Sequence, residues 1–298
     1  MLAKGGCIQV KKDKLIKKII SYIILGVFTL IYLIPFYVVF ITSIKADNQI
    51  ATQNPFIWFP IHNQIGFEAY KNIFTAYTSF TTGESLILVG LKNTIIIMIP
   101  VIIGGMFSST LASYAFAKLK FKGKKIMFGI LMFSMMLPGI VCLIPSYFIY
   151  DNIGITESMP FLPLILPPMF GSATCVFFLK GYYESIPNDL LDSAKMDGLS
   201  YFATYFKVIL PLAKPAIVAQ TLLGIVAVYN DYLLPLTYLL DENDYTLQIA
   251  LQMFSSGANE SLPTIMAGAV ISIIPILLLY FVLQKYFISG LTSSGIKG

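Results

Sequence analysis

The chain has 298 residues, of which 57% are hydrophobic and only 12% charged, and its net charge is +5. Soluble domains carry about 25% charged residues, so the side chains needed to cover a water-facing surface are missing, and a mean hydropathy of +0.78 agrees. The 23 Phe and 18 Tyr exclude disorder, which leaves a membrane protein.

In chain order, residues 1–18 form a basic N-terminal segment with Lys4, Lys11, Lys12, Lys14, Lys17 and Lys18. Six apolar runs follow, at 19–44, 93–117, 126–150, 158–179, 215–240 and 261–284, each 22 to 26 residues long. Asp231 is the only charge inside any of them. About 20 apolar residues cross a hydrocarbon core as a helix, and runs of this length are not the alternating segments of a barrel. The expected fold is therefore an all-α membrane protein with six transmembrane helices. The first run exceeds a signal-peptide core and no small-residue cleavage site follows it, so it reads as a retained anchor. Pro35, Pro100, Pro138, Pro145, Pro163, Pro167, Pro168 and Pro275 predict kinked or interrupted helices.

The segments between the runs set the orientation. The N-terminal segment, loop 118–125, loop 180–214 and the tail 285–298 together hold 17 of the 20 lysines. The external segments, 45–92 among them, hold three lysines against nine acids. The positive-inside rule then puts both termini in the cytoplasm. Segment 45–92 carries Trp58, Pro60, Phe67 and Tyr70, either interfacial anchors or a docking surface for an external partner. Cys7, Cys142 and Cys175 have no metal-like spacing, and His62 is the sole histidine, so neither a disulfide framework nor a metal site is expected.

Loop 180–214 breaks the pattern: four lysines meet Glu184, Asp189, Asp192 and Asp197. Pro187 suits a first helical turn, Asn188 and Asp189 complement the helix dipole, and Gly198 supplies a stop. Ser200 is placed to cap a second helix, 201–209, which Pro211 is expected to terminate. Phe202, Tyr205, Phe206 and Ile209 fall on one apolar face, pressed either on the bundle's own end or on another protein. A helix–turn–helix raises DNA, but the balanced charge cannot neutralise phosphates, so no nucleic acid is expected.

Asp192-Ser193-Ala194, three residues, Gly198, nine residues and then Val208-Ile209-Leu210-Pro211 resembles the E-A-A loop of permease subunits of bacterial ABC importers. Asp192 stands for the usual Glu and Ser193 for Ala. The segment Tyr229-Asn230-Asp231-Tyr232 is similar to the W-N-[DE]-[FY] segment of the carbohydrate-uptake branch, with Tyr229 in place of Trp. The ending Gly290-Leu291-Thr292 through Gly295-Ile296-Lys297-Gly298 resembles that branch's terminus. The likeness covers the whole chain and is nearest the maltose-type second permease subunit.

The resemblance implies a single importer domain, about 80–290, in a bacterial cell membrane. In it Asp192, Ser193, Ala194, Asp197, Gly198, Leu210 and Pro211 would couple to a cytoplasmic ATPase, and Gly290, Gly295, Lys297 and Gly298 would reach between ATPase subunits. The implied partners are a second, homologous permease, two ATPase subunits and an external solute-binding protein. No Walker A motif is present, because Gly123-Lys124 is followed by Lys and preceded by Lys118 at the first glycine position. The chain is thus expected to be non-catalytic and to bind no cofactor, with ATP and magnesium held by the partner ATPases. Asn230 and Asp231 either line the translocation path or satisfy a helix broken near Pro235. A sugar is the expected cargo. The same machinery carrying a polyamine or phosphate ester is the first alternative, and an ion-coupled transporter, which needs more intramembrane ionisable groups, is the second.

Overall fold

The computed structural model describes residues 3–46, 65–255 and 261–294. Among the described residues the chain is helical, with two isolated bridges (Lys45 with Ile65, Thr78 with Ser85) and no strands. It divides into two compact units, residues 1–73 with 258–271 and residues 74–257 with 272–298.

In the first unit α1 (Ala3–Ser43) carries the apolar stretch Leu15–Ser43, whose side chains stand exposed along most of its length. A helix apolar on every side is at home only in hydrocarbon or against other apolar helices. The short α2 (Glu68–Thr75) follows, and its Tyr70 hydroxyl lies 2.8 Å from Ser43 Oγ. Residues 54, 58 and 60 of the external segment lie outside the described residues.

The second unit is built around α3 (Leu86–Lys118), 33 residues and so about 50 Å long at 1.5 Å per residue. Against it pack α7 (Leu162–Met169), α8 (Ala173–Glu184), α11 (Lys214–Tyr229) and α13 (Leu247–Met253). The other helices are α4 (Lys124–Ser134), α5 (Gly139–Asn152), α6 (Ile155–Ser158), α9 (Asp189–Met196), α10 (Tyr201–Leu212), α12 (Leu233–Tyr238) and α14 (Leu262–Ser294). The last of these crosses from one unit into the other.

Four helical stretches are long and apolar enough to cross a membrane, and up to six if each bent pair is one span. The runs expected as single helices at 126–150, 158–179 and 215–240 are all interrupted. Between α4 and α5 the axis turns by 94°, where Pro138 is itself extended (ψ 127) and precedes the first residue of α5. Pro35, Pro100, Pro145, Pro167, Pro168 and Pro275, by contrast, sit inside helices. A proline therefore bends these runs only where its neighbours also fail to continue the ladder.

Side chains of α3 take up the backbone groups that breaks and loops set free. At the α7–α8 break, Ser108 Oγ donates to Met169 O at 2.9 Å and Ser109 Oγ accepts from Ser172 N at 3.1 Å. Gly171 turns there with φ +99, and a Cβ on it would meet Ser109 Oγ at 2.8 Å. At the other end of α3, buried Asn93 donates through Nδ2 to Asn243 O (2.7 Å) and Tyr245 O (3.0 Å). Thr94 Oγ1 accepts from Leu247 N at 3.0 Å. Beside this seam Ser79 Oγ meets Glu242 Oε1 at 2.8 Å, and burial together with the nearby Asp241 charge pushes the Asp244 carboxyl above its ordinary range.

Gly90 makes the seam possible, since a Cβ there would lie 2.9 Å from Leu247 Cα and 2.9 Å from its N. Gly90→Ala must displace backbone and is expected to cost about 1–3 kcal/mol. Gly129→Ala on α4 meets nothing within 4 Å and gains helix propensity. Thermal unfolding of the purified chain is expected to shift down for the first and not for the second; the reverse order would contradict the seam.

Candidate functional site

The loop at 180–214 folds as two helices joined by a tight turn. Gly198 closes α9 in a left-handed conformation, φ +77. Its N–H donates to Lys195 O at 3.0 Å, and the Leu199 N–H donates to Ala194 O at 3.0 Å. This pair of bonds is the Schellman arrangement, which needs a residue without a Cβ penalty at its turn. Ser200 Oγ then accepts from Ala203 N at 3.2 Å and caps α10.

Pro211 does not end α10, contrary to the sequence expectation. The helix widens into a π turn over Tyr205–Ile209, where the Leu210 N–H reaches back five residues to Tyr205 O, and then continues to Leu212. The wider turn accommodates a residue that lacks an N–H and whose ring would crowd the preceding carbonyl. The chain turns by 78° only at α11.

The single apolar face expected for α10 is divided in two. Tyr205 and Ile209 are fully buried with Tyr114, Leu179, Tyr183 and Leu191. Phe202 and Phe206 stand outward at 69% and 50% exposure. Met196, 82% exposed, and Tyr201 also stand outward. Asp192, Ser193, Asp197 and Pro211 are exposed, whereas Ala194 is buried and Leu210 partly so.

Three residues of α3 hold the loop from inside. Lys118 Nζ donates to Ile186 O at 2.6 Å and to Asn188 Oδ1 at 2.9 Å. Tyr114 donates to Tyr201 O at 3.2 Å, and the Thr110 and Tyr205 hydroxyls lie 2.8 Å apart. These tie residues went unread in the sequence, where only their type and roughly helical spacing on an apolar run could have signalled them.

Asn230 and Asp231 part company. Asn230 Nδ2 donates to Val226 O at 3.0 Å and its Oδ1 lies 3.4 Å from Gln248 Nε2, so it finishes α11. Asp231 sits in the break before α12, its carboxylate facing the backbone N–H groups of Leu234, Leu233 and Tyr232. It also lines a cavity of about 290 Å3 together with Cys142, Tyr150, Pro167 and Tyr238. Of the tail residues, Gly290 continues α14, while Gly295, Lys297 and Gly298 lie outside the described residues. Among the described residues no group of His, Cys, Asp or Glu is arranged to hold a metal ion.

A family model described as "binding-protein-dependent transport system inner membrane component" matches residues 102–293. An arabinooligosaccharides transport system permease protein of Bacillus subtilis (strain 168) is 29% identical over 272 residues, covering 91% of this chain and 92% of the relative. A maltose/maltodextrin transport system permease protein of Yersinia pestis is 31% identical over 249 residues, covering 80% of this chain and 82% of the relative. A crystal structure of a bacterial ABC transporter involved in the import of the acidic polysaccharide alginate contains a chain with the same fold. The TM-score is 0.77 at 24% identity, over 92% of this chain and 98% of that one.

Removing the Ser200 hydroxyl isolates the capping bond. Ser200→Ala is expected to cost about 1 kcal/mol locally, read as roughly fivefold faster hydrogen exchange at Ala203 and Thr204; unchanged exchange there would contradict the cap.

Proposed function

The chain belongs to the family of binding-protein-dependent transport system inner membrane components, and from that membership we propose that it is the permease subunit of an ATP-driven importer of a sugar or oligosaccharide. The observation that carries this reading is the family match over residues 102–293, which runs through both the 180–214 loop and the interrupted helix at Asp231. The sugar is supported by relatives named for arabinooligosaccharides and for maltose and maltodextrin.

In this reading the chain crosses a bacterial cell membrane six times with both termini inside. It pairs with a second, homologous permease and receives solute from an external binding protein. Two cytoplasmic ATPase subunits bind and hydrolyse ATP with magnesium; this subunit does no chemistry. Asp192, Ser193, Ala194, Asp197, Gly198, Leu210 and Pro211 form the coupling element, and Gly290, Gly295, Lys297 and Gly298 contact the ATPases.

The coupling role is supported by what the loop offers. Its inner face is committed to the core around Tyr183 and Tyr205, so the loop moves with α3 and α8. Its outer face offers Met196, Tyr201, Phe202 and Phe206, flanked by Asp192 and Asp197. An apolar cluster with a charged rim is the composition of a protein-docking surface. A partner that grips it differently in two states shifts the equilibrium between inward- and outward-open forms.

Phe202→Ala removes an outward ring and leaves the core untouched. In reconstituted vesicles it is expected to weaken ATPase association at least about tenfold, as central aromatic residues do, and Gly198→Pro to abolish solute-stimulated ATP hydrolysis. If both variants couple like the parent, the loop is not the coupling element. If the subunit moves solute under a proton or sodium gradient without an ATPase, the importer reading fails altogether.

A further inference from the structure

Three interrupted helices meet at the cavity beside Asp231. Gly139 opens α5 after the break at Pro138, Pro167 lies in the last turn of α7 before the break at Gly171, and Asp231 lies in the break between α11 and α12; all three line it. Broken helices inside apolar runs are tolerated where their backbone faces a cavity or another helix, and in membrane proteins such breaks gather at solute sites. At about 290 Å3 the cavity is at the lower end of small-molecule sites.

Its chemistry is selective. No Lys is among the lining residues and Asp231 is the only charge, so an anionic solute finds no counter-charge. A polyamine would bring several cations to one carboxylate that already faces three backbone N–H groups. A carboxylate has about four acceptor positions, so capacity remains for a hydroxyl donor. Tyr150 and Tyr238 line it too, their rings meeting edge to face at 6.0 Å. A carboxylate that accepts hydroxyl hydrogens, together with aromatic surface for C–H bonds, suits a neutral polyhydroxylated ring.

We propose that this cavity is a solute subsite of the subunit itself, taking one ring of a neutral sugar, with Asp231 accepting its hydroxyls and Tyr150 and Tyr238 packing on its apolar face. The proposal rests on the importer reading and names where and how this chain touches the cargo. The sequence reading left Asn230 and Asp231 together; here Asp231 is the recognition group, facing the first amides of α12, and Asn230 serves the helix end.

Cys142 lines the same cavity with a free, exposed thiol and serves as its reporter. In the complete importer in nanodiscs, the rate at which a small methanethiosulfonate reagent modifies Cys142 is followed by peptide mass spectrometry. The added solutes are maltose, arabinobiose, galactobiose, spermidine and glycerol 3-phosphate, and transport of each is measured in parallel in vesicles. The sugar that is transported is expected to slow Cys142 modification, and the cation and the anion to leave it unchanged. Asp231→Asn keeps the side chain's size and one carbonyl oxygen as acceptor, and is expected to raise the half-protecting sugar concentration about tenfold, the factor one charge-assisted hydrogen bond carries. If Cys142 reacts equally fast with and without a sugar that the same complex transports, or is protected by spermidine alone, the subsite is overturned and the importer stands. A complex that transports none of the sugars on ATP overturns both.

Discussion

Hydrocarbon offers no water to a backbone N–H or C=O, and the helix breaks beside α3 and α12 in the second unit answer that constraint. A chain that broke its apolar helices without compensation would bury unpaired groups at about 1–3 kcal/mol each. Two of the three breaks have side chains beside them. Ser108 and Ser109 serve the α7–α8 break, Gln248 reaches Tyr229 O at 3.1 Å, and Asp231 faces the first amides of α12. Ser108 and Ser109 are small polar residues inside a long apolar run. They carry no charge, so they cost little to insert, yet they fix where the chain turns.

Because α3 supplies so many of these partners, it also sets the geometry of everything around it. Asn93 and Thr94 hold the 243–247 segment at one end, and Thr110, Tyr114 and Lys118 hold loop 186–205 at the other. Thr94 and Ile97 of the same helix line the cavity. One stiff element thus touches the loop offered to a partner, the cavity and the opposite loop. In an importer, displacement of the loop reaches the cavity wall along continuous helix, and no long chain of flexible contacts is needed.

Much of this was legible in the residues. Charge gaps located the apolar helices, because a charge is the one residue property that lipid excludes most strongly. The turn at Gly198 and the cap at Ser200 were legible because both are local bonds with a fixed residue requirement. The split of the α10 face was not: Phe202 and Tyr205 have the same character, and only the position of α3 and α8 decides which is covered. Nor was the 94° turn before Gly139. Pro138 and Pro145 look alike in sequence, and whether a helix breaks or merely carries its proline depends on who receives the freed backbone groups. The cavity, assembled from five separated stretches, has no local signature at all.

In the proposed importer the outward face of loop 180–214 lies in the cytoplasm and is covered by a partner ATPase. Met196→Cys tests it most directly, because residue 196 is 82% exposed and makes no core contact to lose. Labelling by a membrane-impermeant maleimide is compared in inside-out and right-side-out vesicles, with and without the ATPase subunits, and read by peptide mass spectrometry. The account predicts labelling in inside-out vesicles only, and strong protection when the ATPase is bound. Labelling from the outer side, or labelling that the ATPase leaves unchanged, would contradict it.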